Sequence, residues 1–179
     1  MGRLLHALVL GVIGAAIVHI AILLMVPEFS VRDAWSSLSQ RSNYYTMTRL
    51  DKLAGQQLID SIDPLFLASA CRFDLSEGVV HLTGEGKVPN WSISVYDRAG
   101  QNVFSLNDRS SSAGQPDFVI ATTSQMVEMR NALPPEFSRS VFIEADIDEG
   151  IVVARAFAPD ASWHPTVSNF LQSFSCTSH

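Results

Sequence analysis

From Ala7 to Val26 the chain carries no Asp, Glu, Lys or Arg. At 1.5 Å rise per residue, a helix over that run spans about 30 Å, the hydrocarbon thickness of a bilayer. A cleaved signal peptide has a shorter apolar region, roughly 7–15 residues, followed by a small-x-small site. Here the run exits through Met25-Val26-Pro27-Glu28-Phe29, which favours an uncleaved anchor over a removed leader. The expected organisation is a membrane anchor helix over residues 1–27, a juxtamembrane helix and linker over 28–62, and a β-rich extracytoplasmic domain over 63–179.

Orientation follows from the charges that flank the span. Arg3 and the chain amine stand on the short side, whereas Arg32 on the long side is balanced by Glu28 and Asp33. The bias is weakly N-terminus-inside, which implies the inner (cytoplasmic) membrane of a two-membrane bacterium, with the domain in the periplasm. His19 sits near the middle of the span, where an ionisable side chain points to a partner helix or a wet cavity unless it bonds to a nearby carbonyl. Gly11 and Ala15 form one small-xxx-small pair, a weak signal for helix association.

Composition narrows the partners. With 18 acidic against 12 basic residues the formal net charge is −6, and no Lys/Arg cluster tracks a phosphate backbone. Nucleic acid is therefore not expected; the membrane and a second envelope protein are. The 47% hydrophobic content suffices for one core. Two isolated cysteines, Cys71 and Cys176, make no CxxC motif. In an oxidising compartment they join in one bridge; the alternative is two buried thiols.

The exported part reads as α+β, a mainly antiparallel sheet or sandwich with a few short helices. Ser30 is placed to cap a short helix, followed by a polar linker from Ser36 to Asn43, and Asp63-Pro64 has the form of a helix start after weak helical spacing over Gln56 to Ile62. From Cys71 the period becomes two, with strands expected near residues 71–75, 79–83, 91–96, 102–106, 118–121, 141–145 and 151–157. Ser76-Glu77-Gly78, Asp97-Arg98-Ala99-Gly100 and Asp148-Glu149-Gly150 read as hairpin turns that pair neighbouring strands antiparallel. A serine-rich loop spans Arg109 to Gln115. Thr123 or Ser124 opens a helix stopped by Pro134-Pro135, and Val167, Phe170, Leu171 and Phe174 mark a last helix over 166–174.

No nucleophile elbow, zinc-binding His pair, Ser-x-x-Lys dyad or phosphate loop occurs, so neither catalytic residue, cofactor nor metal is expected. The best polar constellation pairs Asp97 and Arg98 with Asn107, Asp108 and Arg109. A strand of about five residues, about 17 Å long, separates the two groups, and turn chemistry accounts for each. His81 lies opposite the core-facing Val80 and Leu82, and His164 precedes Pro165 in a loop without a second ligand at metal spacing. Asn90-Trp91-Ser92 matches a glycosylation acceptor in form alone.

Arg72 to about Ala121 resembles the bacterial domain-of-unknown-function family numbered 1254. The matching runs are Phe73-Asp74-Leu75, Val79-Val80-His81-Leu82, Trp91-Ser92-Ile93-Ser94-Val95-Tyr96-Asp97 and Asn102-Val103-Phe104-Ser105. The resemblance implies an exported, envelope-associated β-rich domain in a short, anchored form, often accompanied by a second domain numbered 1214. Longer members carry Asn-x-Asp-Thr-Leu-Tyr where this chain has Leu67-Ala68-Ser69-Ala70-Cys71-Arg72, and that departure argues for a scaffold or binding role. An envelope interaction module is the leading expectation. An enzyme or small-ligand binder using Asp97, Asp108, Arg109 or His164 is the alternative, recognisable by one cleft that unites them.

Overall fold

A computed structural model describes residues 2–50, 63, 65–110 and 114–179, with the side chains of 26–34 outside that description. The first element, α1, is one helix over Gly2–Ser39. Its segment Gly2–Met25 is long and apolar enough to cross a membrane, with a mean hydropathy of 2.7 and none of that stretch buried by protein. The separate short helix expected at Ser30 and the linker expected from Ser36 do not exist as such: the helix continues through Pro27 to Ser39. A proline removes one intrahelical hydrogen bond, which bends or weakens a helix without having to end it.

Among the described residues nine strands follow, in two sheets. The first sheet has the order β1-β2-β8-β4-β5, where β1 is Thr48–Arg49, β2 Phe66–Asp74, β4 Trp91–Asp97, β5 Asn102–Asn107 and β8 Glu149–Phe157. The second has the order β7-β6-β3-β9, with β3 Val80–Thr83, β6 Asp117–Ala121, β7 Val141–Glu144 and β9 Ser175–Ser178. Among the described residues two further α-helices follow, α2 over Thr123–Asn131 and α3 over His164–Gln172. This is the expected α+β class, a sandwich preceded by a long apolar helix.

Alternation along the strands builds the core. Cys71, Phe73, Val80, Leu82, Trp91, Ile93, Val95, Phe118, Ile120, Ile143, Val152 and Ala154 face one another between the sheets, joined by Val167, Phe170, Leu171 and Phe174 from α3 and the residues after it. The outer face of the second sheet is covered too, because Val119 and Ala121 pack with Met129 of α2 and with Phe137. On the first sheet, Ala68, Ala70 and Val153 receive Leu38 from the end of α1 and Leu50. The molecule is therefore layered as helix end, sheet, sheet, helix.

Several local expectations gave way to long-range pairing. The segment before Cys71 is not a helix: Asp63 accepts the Leu65 amide at 2.9 Å in a local turn, and the chain enters β2 at Phe66. Gln56–Ile62 and Pro64 lie outside the described residues. Of the three glycine turns only Asp97–Gly100 closes a hairpin, β4 to β5, with Gly100 at φ 74°. Ser76-Glu77-Gly78 and Asp148-Glu149-Gly150 instead pass between sheets. Gly150 belongs to β8, where a Cβ would stand 2.6 Å from the Phe73 ring and 2.8 Å from the Tyr96 carbonyl. Close packing, rather than a turn, requires glycine there.

The pairing is antiparallel except between β6 and β7, which run parallel across the α2 crossover. α2 is capped one residue earlier than expected, by Thr122 in a reciprocal capping box with Gln125. The expected last helix is α3, and the residues beyond it, Ser175–Ser178, form β9 against β3.

Cys71 on β2 and Cys176 on β9 form a disulfide that crosses the core from one sheet to the other. Closing a loop of 105 residues' separation is worth on the order of 4–5 kcal/mol by the chain-entropy argument. Cys71→Ser with Cys176→Ser is expected to lower the urea midpoint of the full-length protein in mild detergent by a corresponding amount. An unchanged midpoint excludes the bridge as a stabilising element.

Candidate functional site

A buried polar cluster lies where the end of α1 meets the first sheet. Strand alternation turns Cys71 inward and its neighbour Arg72 outward, and Arg72 is nine-tenths buried. Its guanidinium lies 4.5 Å from the centroid of the Tyr44 ring and 5.5 Å from that of Trp35. Nη2 donates to the Ser42 carbonyl at 2.6 Å, whereas Nε is buried without a hydrogen-bond partner among the described residues. Aromatic faces and one carbonyl thus hold a desolvated cation, the setting in which cation–π attraction is largest. Trp35 is shared with a second cation, since Arg98 also lies 5.5 Å from its ring centroid.

Glu149 closes the cluster. Its two carboxylate oxygens accept from the Tyr44 hydroxyl and from Arg98, so it ties the segment after α1 to the β4–β5 turn. The Tyr44 backbone bridges Arg72, and the Tyr45 amide donates to the Arg72 carbonyl at 2.9 Å. Tyr45 itself places its hydroxyl 2.8 Å from the Asp74 carbonyl and from Glu77. The hydrogen bond to Glu149, and then burial, raise the Tyr44 phenol above its ordinary value; burial, and then Glu77, do the same for Tyr45.

The residues singled out in the sequence fall elsewhere. His19 is exposed along α1, well inside the apolar stretch. Asp97 ends β4, and its carboxylate accepts the Gln101 amide at 2.8 Å inside the hairpin turn. Asn107 accepts the Arg109 amide at 3.2 Å, and Asp108 accepts the Asn90 amide at 3.3 Å. Ser92 pairs with Asn107 while Asp97 sits at the turn, so the two groups occupy opposite ends of one hairpin. His164 opens α3, after the loop that leaves β8 at the end where β4 begins. That loop is held by Asp160, whose carboxyl is lowered by the hydroxyl and then the amide of Ser162.

His81 is more engaged than its strand position alone implied. Its Nε2 stands 3.0 Å from Asp117, the same carboxylate oxygen that accepts from Ser140 Oγ at 2.5 Å. The ring meets Phe137 edge-on at 5.0 Å and His179 at 5.6 Å. A nucleophilic triad needs the hydroxyl on the imidazole, and here both groups share the carboxylate instead. Among the described residues no group of three or more His, Cys, Asp or Glu side chains is arranged to hold a metal.

No known family model matches this sequence, and no curated protein does. Solved structures do match it. The VPA0106 protein from Vibrio parahaemolyticus matches over 84% of this chain and 35% of its own, with a TM-score of 0.61 at 11% identity. An uncharacterised protein from Burkholderia cenocepacia matches over 74% of this chain and 36% of its own, with a TM-score of 0.48 at 14% identity. The present chain thus spans about a third of the length of these two structures. The likeness to the Vibrio protein shows a fold that is shared with part of a longer chain.

The cluster generates a pH signature. Because folding raises the Tyr44 phenol, the stability this group adds is complete below its ordinary value of 10.0 and is lost as pH climbs through the raised value. Absorbance titration should show a phenol ionising above 10 that is missing in Tyr44→Phe, and the variant's stability should fall less steeply than wild type in that range. Arg72→Ala, which leaves the aromatic slot empty, should expose the segment after Ser39 to proteolysis, whereas a cut pattern identical to wild type would show that Arg72 does not hold the helix end.

Proposed function

We propose that this chain is a single-pass inner-membrane protein whose domain lies in the periplasm. There it acts as a non-catalytic interaction module, the short anchored form of the 1254 family. The observation that carries this reading is the seating of the Trp35–Leu38 end of α1 on the first sheet through the buried Arg72. A helix that served only as a flexible tether would leave the domain free of it. Here ten or so residues beyond the apolar stretch, roughly 15 Å of helix, the chain is already packed against the sandwich. The domain is therefore carried close to the bilayer surface, where a neighbouring envelope protein is the partner at hand, for example one bearing the companion 1214 domain.

Further support comes from the side chains that chemistry would need. An enzyme or small-ligand binder built from Asp97, Asp108, Arg109 and His164 requires them in one cleft, and Asp97 stands at the far end of the β4–β5 hairpin from Asp108 and Arg109. Asp97 accepts the Gln101 amide and the Arg109 amide donates to Asn107, both bonds of local turns.

Capture of the tagged full-length protein from mild-detergent membranes, beside a version carrying an unrelated anchor helix, tests the proposal. A stoichiometric envelope partner is expected. Its loss with the swapped helix assigns recognition to the span around His19; its retention assigns recognition to the domain. Recovery of the protein without a partner from both versions overturns the interaction-module reading.

A further inference from the structure

β5 is an edge strand: among the described residues it pairs with β4 alone. Every second residue of such a strand turns its N–H and C=O away from the sheet, where only another strand or water satisfies them. Edges are normally blunted by charge, proline or a bulge. In β5 the bulge is confined to Val103, beside the turn, where the register shifts. Phe104 to Asn107 form a regular stretch with neither charge nor proline. Leu106 is buried and Phe104 half-buried on the core side, while Ser105 and Asn107 are exposed on the other face.

We propose that two copies of this chain join antiparallel through β5, with Ser105 opposite Ser105 of the second copy, so that the first sheets of two protomers become one continuous sheet. This goes beyond the interaction-module reading and rests on its membrane anchor alone. Three features select a second copy as the occupant. First, side-chain alternation demands that core-facing residues meet core-facing residues; the register centred on Ser105 sets Phe104 against Leu106 of the second copy and extends the core across the seam.

Second, the two-fold axis of such a joined sheet is normal to it, so both copies keep the same face on the same side. The end of α1 is docked on the outer face of this sheet. Both anchors therefore leave from one face, as two chains in one membrane must, and anchoring also raises the local concentration of that face for its twin. Third, the charges match. Within one chain Asp97 and Arg98 lie at the opposite end of the hairpin from Asp108 and Arg109. Antiparallel joining reverses one hairpin against the other and brings the Asp97–Gly100 turn of each copy beside the Asp108–Ser110 turn of its twin. The exposed Arg109 side chain then stands level with Asp97 of the second copy, twice by symmetry. The polar groups that are split in the monomer become neighbours in the pair.

Ser105→Cys in the full-length protein, in its native membrane under mild oxidation, tests the seam, because the residue at the centre of the two-fold meets itself. A cross-linked species of twice the chain mass is expected, with none from Val127→Cys, an exposed position on α2. Ser105→Lys should lose the dimer by light scattering in mild detergent. Mixing Ser105→Lys with Ser105→Glu chains should restore it as a heterodimer, a rescue that misfolded chains do not give. A monomeric wild type, a Ser105→Cys chain that stays uncross-linked, or one that cross-links to a different protein overturns the proposal.

Discussion

Two consecutive residues on β2 organise this protein. Because side chains alternate on a strand, Cys71 points into the core and Arg72 points out of it. Cys71 crosses the sandwich to Cys176 and fastens one sheet to the other. Arg72, too costly to bury unpartnered, is accepted because Trp35, Tyr44 and the Ser42 carbonyl surround its guanidinium. The same strand carries the nine-residue ladder with β8. Sheet, bridge and anchor therefore share one short segment, and a register slip of one residue would exchange the roles of its two faces.

Where structure is local, the sequence announced it. The apolar run without a charge reports its own helix, and the period-two stretches around Phe73, Ile93 and Val152 and the i, i+3, i+4 stripe of Val167, Phe170 and Leu171 report their own burial. What was illegible depends on distant partners. Leu67 to Ala70 looks as much like a buried helix as a strand until Ala154 and Ala156 are known to lie beside it. Gly150 resembles a turn residue until the Phe73 ring is found above it. The parallel β6–β7 pair hides behind a helix whose caps are readable but whose crossover is not.

The junction site was half visible. A lone arginine between Cys71 and Phe73 in an apolar strand signals a buried charge that needs company, yet Trp35 and Tyr44 lie about thirty residues upstream, and Glu149 lies far downstream in a segment that reads as a turn. His81 illustrates the same limit. Its place on the outer face of β3 follows from alternation, but its carboxylate partner Asp117 is delivered by β6 through strand pairing. Charged residues in turns, such as Asp97 and Asp108, are easy to see in a sequence because turns are local. Their visibility exceeds their part in any single-chain site.

The account rests on a helix end that is packed against the sandwich rather than tethered to it. With both native cysteines bonded, spin labels can be placed at Ser36→Cys and Ser138→Cys in the full-length protein in lipid nanodiscs, and their separation measured by pulsed electron resonance. A docked helix end predicts one narrow distance distribution that broadens in Trp35→Ala. A broad distribution in the otherwise wild-type chain would contradict the docked junction and return α1 to the status of a tether.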